Sequence, residues 1–231
     1  MDTTLQTPIP DDRIYYQHAG SIGIVRRVSL QARLNVFRAF IDLLQPDAKT
    51  SVLDVGVSLD VASMESNVLE QSYPHQNQLT CAGIGDGTAL QHAYPRIRFV
   101  QITPHTPLPF ADGQFDIAYS NAVVEHTGSR DNQRAFIAEL CRVAKRVFVA
   151  VPNRLFPLEQ HTGLPLINYL PLPVFRALLR PTKLAHWSQE ENLNPVFAEE
   201  FRRLFPSDKP VKIRYAGFGP RPFCSNLIAV R

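Results

Sequence analysis

The chain has 231 residues, 45% of them apolar, with 24 Lys and Arg against 21 Asp and Glu for a net charge of +3. This suffices for one domain with a sizeable core, and the basic residues fall in scattered pairs (Arg26-Arg27, Lys145-Arg146, Arg202-Arg203), not in the single stripe that a nucleic-acid partner needs. Three cysteines without CxxC spacing exclude a zinc framework or disulfide scaffold; no metal is expected, and with neither a signal-like start nor an apolar run of roughly twenty residues the expectation is a cytoplasmic protein without a membrane span.

Residues 1–29 are polar at first and then carry Ile14-Tyr-Tyr and Ile22-Gly-Ile-Val, which reads as an N-terminal arm. From Leu30 to Leu44, apolar residues at Leu34, Phe37, Phe40, Ile41 and Leu44 have the spacing of an amphipathic helix, stopped by Pro46-Asp47. A first strand follows at 51–56, then a short helix from Glu65 to Tyr73 and a second strand from Leu79 to Ile84. Ala89–Ala93 reads as a brief helix, Ile97–Ile102 as a third strand, and Gln114–Ser120 as a fourth, entered through the Ala111-Asp-Gly113 turn. Ser129 or Asp131 can cap a helix running to Ala144, with Phe136, Ile137, Leu140 and Val143 on one face, before a fifth strand at Lys145–Val151. Cys81 falls in a strand and Cys141 on an apolar helix side, so both read as buried thiols.

Strands alternating with helices at this spacing imply right-handed crossovers and a mostly parallel, doubly wound α/β sheet covered on both faces. The tail differs: Val211–Tyr215 and Asn226–Val230 flank Gly217-Phe-Gly-Pro and read as neighbouring antiparallel strands. Residues 153–194 are apolar and proline-rich, and read as a helical cap insert within one domain spanning 1–231. An apolar surface there could also make peripheral contact with a membrane or a partner.

Two segments carry the chemistry. The first is Ser51-Val-Leu-Asp54-Val-Gly56-Val-Ser58-Leu-Asp60, a buried strand opening onto a crevice. The second is Leu108-Pro-Phe-Ala-Asp-Gly-Gln-Phe-Asp116-Ile-Ala-Tyr-Ser120-Asn121-Ala-Val-Val-Glu125-His126. Together they resemble the class I S-adenosylmethionine-dependent methyltransferases, in the branch acting mostly on small molecules. The resemblance covers roughly residues 30–170 and implies a seven-stranded sheet ending in one antiparallel strand, with S-adenosylmethionine as cofactor. Asp54 and Gly56 match the family's first motif, whereas Ser58 and Asp60 stand where its second and third glycines usually are. Asp86, one place late after Gly83-Ile84-Gly85, is the candidate for the ribose hydroxyls, with helix capping as its other role. After the third strand, Thr103-Pro-His105-Thr replaces the acid that the family often places near adenine.

The reading is therefore an enzyme moving a methyl group from S-adenosylmethionine to a small-molecule, sugar or lipid-linked acceptor. Asp54, Gly56, Asp86, Ser120 and Asn121 are the candidates for holding the cofactor. His126 lies beyond the fourth strand and can face the acceptor; its bland role is a hydrogen bond to a neighbouring loop. Glu159 and His161 stand two positions apart, so an extended segment points both the same way and the carboxylate can orient the imidazole as a base. The departures in the first motif also support a second reading, a methyltransferase-like binding or scaffold protein without catalysis.

Overall fold

A computed structural model describes residues 23–63 and 65–231, so most of the N-terminal arm lies outside the described residues. The elements in chain order are α1 (Gly23–Leu44), β1 (Val52–Val55), α2 (Val68–Ser72), β2 (Leu79–Gly83), α3 (Thr88–Ala93) and β3 (Arg98–Gln101). There follow β4 (Phe115–Asn121), α4 (Arg130–Val143), β5 (Ala144–Pro152), α5 (Leu172–Leu179), α6 (Ala198–Arg202), β6 (Lys212–Ala216) and β7 (Asn226–Val230). Helix α1 begins seven residues before the apolar periodicity does, whereas the strands fall within about one residue of their expected ends.

All seven strands form one sheet in the order β3-β2-β1-β4-β5-β7-β6. The pairs β1–β2, β2–β3, β1–β4 and β4–β5 are parallel. Strand β7 runs antiparallel between β5 and β6, as the tail pattern predicts. Strand side chains alternate between faces, and this divides the core. Leu53 and Val55 of β1 join Ile137, Leu140 and Val143 of α4 and Phe201 of α6 on one face. Val52 joins Val36, Phe40 and Leu44 of α1 and Leu69 of α2 on the other. Phe40 anchors that second layer, its ring 5.1 Å from Tyr119 and 5.5 Å from Phe148.

The chain order runs outward from β1 to β3 on one side and from β4 to β5 on the other. The carboxyl ends of β1 and β4 therefore form the switch point where open α/β sheets bind ligands. Above it sits the 153–194 insert, built on 3₁₀ turns at Ile167–Tyr169 and Ala185–Ser188 around α5. The insert carries its own small core of Ile167, Phe175, Leu179, Trp187 and Leu193. Among the described residues, no helix is long and apolar enough to cross a membrane.

Candidate active site

At the end of β1 the chain turns at Gly56, whose φ is 93° and whose N–H donates to the Ala82 carbonyl at 2.8 Å. A Cβ there would stand 2.3 Å from Val123 Cγ2, so glycine is needed because the loop leaving β4 crosses directly over it. The following loop is organised by the residue that replaces a glycine. Asp60 accepts hydrogen bonds from the Ala62 amide at 2.9 Å and from the Ser63 hydroxyl at 2.6 Å, and its carbonyl accepts from the Asn67 side chain. Val57 is buried against Gly83, and Leu59 lies against Gly85. The loop then brings Glu65, Ser66 and Asn67 into the interior. Ser66 Oγ and Asn67 Oδ1 are buried there without a hydrogen-bond partner among the described residues.

The five cofactor candidates divide into two groups. Gly56, Asp86 and Asn121 lie at the carboxyl ends of β1, β2 and β4. Asp86 is exposed, and its Oδ1 accepts from the Thr88 amide at 3.0 Å at the head of α3; hydrogen bonds from Thr88 hold its carboxyl below the usual range. Asn121 Oδ1 is buried without a described partner. Ser120 and Asp54 face inward instead. The Ser120 hydroxyl donates to the Val55 carbonyl at 2.9 Å, tying β4 to β1. Asp54 shares the α1–α2 face with Val52 because strand alternation puts it there, and it meets Glu70 and Cys81. Burial first, and then the neighbouring Glu70, push its carboxyl well above the usual range. The Cys81 thiol donates to Glu70 Oε1 at 3.3 Å, so this trio satisfies itself inside the core.

The other half of the site joins the sheet to the insert. Beyond β4, Ala122 (φ 58°) turns the chain into a 3₁₀ segment, Val124–His126. His126 Nδ1 lies 2.6 Å from the Asn192 carbonyl, and His161 Nδ1 lies 2.8 Å from Glu159 Oε1. The two Nε2 atoms face each other at 3.2 Å. These contacts fix the protons: a carbonyl and a carboxylate can only accept, so both Nδ1 atoms carry hydrogen. A hydrogen bond between the Nε2 atoms then needs one further proton, which makes the pair a single cation held against Glu159.

The electrostatics assign that proton to His161. Burial disfavours its charge, but the charge and hydrogen bond of Glu159 outweigh it and raise the imidazole. Burial and the neighbouring His161 lower His126 to about 3. Burial would raise Glu159, yet His161 and the amides of its own turn bring it down to about 2. The buried Glu125 carboxylate, by contrast, accepts no hydrogen bond from another described residue, and burial raises it to about 7. Its Oε1 lies 3.8 Å from His126 Nε2.

The insert is latched onto this cluster. The Asn194 amide donates to the Glu125 carbonyl at 2.7 Å, and the Gln133 side chain of α4 donates to the carbonyls of both Val124 and Asn194. The Trp187 ring lies 5.0 Å from His161 and 6.1 Å from His126, walling the pair with an apolar face. A cavity of ≈ 10 Å³, room for about one water, touches Glu125, Glu159 and His161. Asn153 and Arg154, directly after β5, are structural: Asn153 donates to the Pro222 and Cys224 carbonyls, and Arg154 to those of Asn168 and Leu170. Sequence reasoning brought His126, His161 and Glu159 forward but not Glu125, although it adjoins His126. It also missed Asn192, which contributes a backbone carbonyl that its residue type does not announce.

Residues 55–147 match a family model described as a methyltransferase domain. No curated protein matches the chain. Among solved structures, magnesium protoporphyrin IX methyltransferase of Synechocystis PCC 6803, determined with bound SAH, superposes with a TM-score of 0.56 at 16% identity, over 95% of this chain and 93% of that one. A possible histamine N-methyltransferase from Thermotoga maritima gives 0.54 at 12% identity, over 95% and 98%. A SAM-dependent methyltransferase from Aquifex aeolicus gives 0.53 at 12%, again over 95% and 98%. At these identities the likeness is one of fold, and the domain match covers the sheet from the end of β1 to the start of β5. Together they give the chain the fold of these methyltransferases, with a methyltransferase-domain match over residues 55–147.

Proposed function

We propose that the chain transfers a methyl group to an oxygen of a small-molecule, sugar or lipid-linked acceptor that docks against His126 and His161, with Glu159 holding the His161 ring from behind. The observation that carries this reading is the convergence of the two imidazoles, 3.2 Å apart, just beyond the carboxyl end of β4. A hydroxyl must lose a proton as it is methylated, and a proton-holding imidazole pair backed by a carboxylate answers that need.

The residues at the strand ends fit the cofactor. Asp86 is an exposed carboxylate beyond β2, suited to the ribose hydroxyls, and Gly56 lets backbone approach beside β1. The unpartnered Asn121 Oδ1, Ser66 Oγ and Asn67 Oδ1 are buried polar atoms of the kind a polar ligand satisfies. Asp54 and Ser120 act one step back: the Ser120 bond to Val55 fixes the switch point, and Asp54 secures the sheet beneath it. When bound, S-adenosylmethionine supplies an electrophilic methyl group for in-line displacement.

The chain's own residues orient the acceptor and handle its proton. Glu159 holds the His161 ring in one tautomer through Nδ1, and the Asn192 carbonyl does the same for His126. Once the bridging proton has left, an Nε2 lone pair is available to a docked hydroxyl. Trp187 and the insert exclude water on one side, so the 153–194 segment acts as the acceptor-side cap. Calorimetric titration with S-adenosylmethionine and S-adenosylhomocysteine tests the reading. Micromolar binding, weakened about tenfold by Asp86→Ala, is expected; a folded protein binding neither compound overturns it and returns the scaffold reading.

A further inference from the structure

We propose that Glu125, His126 and His161 form the binding site for one divalent first-row transition ion, of the zinc, cobalt or manganese type, at the acceptor end of the crevice. The ion site stands on its own geometry. The further assignment, that its open position takes the acceptor oxygen, rests on the acceptor position proposed above but replaces the imidazole base by the ion, which engages both Nε2 lone pairs and acidifies a bound hydroxyl instead. It departs from the sequence expectation of no metal, which was argued from cysteine spacing and could not see residues brought together across the insert.

Three observations converge. One donor atom from each residue lies within 4.8 Å of the others: His126 Nε2 is 3.2 Å from His161 Nε2 and 3.8 Å from Glu125 Oε1. Donors about 2.1 Å from a common ion stand roughly 3.0 to 3.4 Å apart in octahedral to tetrahedral arrangements. The imidazoles already meet that spacing, and Glu125 Oε1, 3.8 Å from His126 Nε2, must close by roughly half an ångström to reach it. The far nitrogen of each ring is also engaged, His126 Nδ1 with the Asn192 carbonyl and His161 Nδ1 with Glu159. Metal-binding histidines are held in just this way, with both Nε2 atoms left pointing at one place.

The third observation is the state of Glu125. Its side chain is 1% exposed, and neither oxygen accepts a hydrogen bond from another described residue. A buried carboxylate without hydrogen bonds is costly, and an ion beside it removes that cost. The other cluster of potential ligands, Asp54, Glu70 and Cys81, lacks this feature because its members are bonded to one another. Two imidazoles and one carboxylate favour a borderline cation over magnesium or calcium. Three protein ligands leave a position open for water or an acceptor oxygen. On binding, the proton shared between the two Nε2 atoms leaves to solvent.

The test uses the full chain stripped with a chelator and titrated with Co²⁺, followed by visible absorption and metal analysis. One Co²⁺ per chain with ligand-field bands is expected, displaced by Zn²⁺. Glu125→Gln and His161→Gln should each weaken binding at least tenfold while retaining the thermal melt of a folded protein. On the wild-type chain, Zn²⁺ should shift the ¹⁵N resonances of His126 and His161 and leave those of the exposed His92 and His105 in place; this readout stands even if a variant fails to fold. No bound Co²⁺, unmoved His126 and His161 resonances, or undiminished binding by a folded His126→Gln/His161→Gln protein overturns the site. Calorimetry with S-adenosylmethionine on the same samples separates the two ideas. Cofactor binding without metal binding removes the ion site alone, whereas metal binding without cofactor binding removes the methyl-transfer reading and leaves the ion site.

Discussion

At Gly56 the chain has room for a hydrogen atom and nothing larger. Two separate constraints meet there, a φ of 93° and the Val123 side chain 2.3 Å from where a Cβ would stand. Gly56→Ala should therefore destabilise the protein by about 2–4 kcal/mol, combining the left-handed backbone cost with overpacking. Adding Val123→Ala removes the collision but not the backbone cost, so the double variant should recover part of the loss and retain about 1–2 kcal/mol of it. Urea unfolding of the single and double variants decides the matter, since equal losses would show that Val123 is not what forbids a side chain. Glu159→Gln tests a different kind of residue. Glu159 positions the His161 ring through Nδ1 without touching the acceptor, so its loss should lower kcat roughly 10- to 100-fold while affinity for S-adenosylmethionine stays as in the wild type. A parallel loss of cofactor affinity would mean that the substitution disturbs the whole crevice.

In the proposed reaction the insert is the element on which the acceptor side depends. Its core closes around Trp187, which is 1% exposed, and it is tied to α4 through Arg130 and Gln133, which both donate to the Asn194 carbonyl. Trp187→Ala should cost about 3–5 kcal/mol by the usual scale for buried tryptophan. Because the insert core is separate from the two sheet layers, that loss should appear first as faster amide exchange over 167–193, with β1, β4 and β5 still protected. Uniformly faster exchange across the sheet would instead make the insert part of one cooperative core. The same division explains what could be read beforehand. The strands announced themselves because each is a short apolar run bounded by Gly or Pro, and the antiparallel tail followed from two such runs around Gly217-Phe-Gly-Pro. His161 and Glu159 were legible as a pair because they are near neighbours in sequence. Their meeting with His126, 35 positions away, depends on how the insert folds back, and periodicity carries no trace of that. Asp54 shows the opposite case: a motif position drew it to the crevice, while the two-residue alternation of β1 turns its side chain into the α1–α2 layer.

At the scale of the molecule the sheet has two ends with different duties. The carboxyl ends of β1, β2 and β4 carry Gly56, Asp86 and Asn121, and the opposite end is fastened by Asp116 near the start of β4. Asp116 accepts from both the amide and the hydroxyl of Ser51 at 2.9 Å and pairs with Lys145 at 2.8 Å, linking the entries of β1, β4 and β5. The Lys145 and Ser51 hydrogen bonds hold its carboxyl at about 2. A folded-state value below the unfolded one, about 3.9, means that the bonds stabilise the protein fully above the unfolded value. Their contribution fades as pH falls from about 4 through about 2. The group is one-third exposed, so solvent screening limits the effect to the order of 1 kcal/mol. Asp116→Asn should thus lower stability by about that amount at neutral pH, and the gap from wild type should close in the acid window as both proteins lose the charge. Asp116 sits five residues, roughly 17 Å of extended strand, from Asn121, so affinity for S-adenosylmethionine should be the same in the variant. Chemical unfolding at a series of pH values, paired with calorimetry at neutral pH, checks both halves. A stability gap that persists below pH 2 would show that the Ser51 and Lys145 bonds do not depend on the carboxylate charge, and a change in cofactor affinity would show that the two ends of the sheet are coupled.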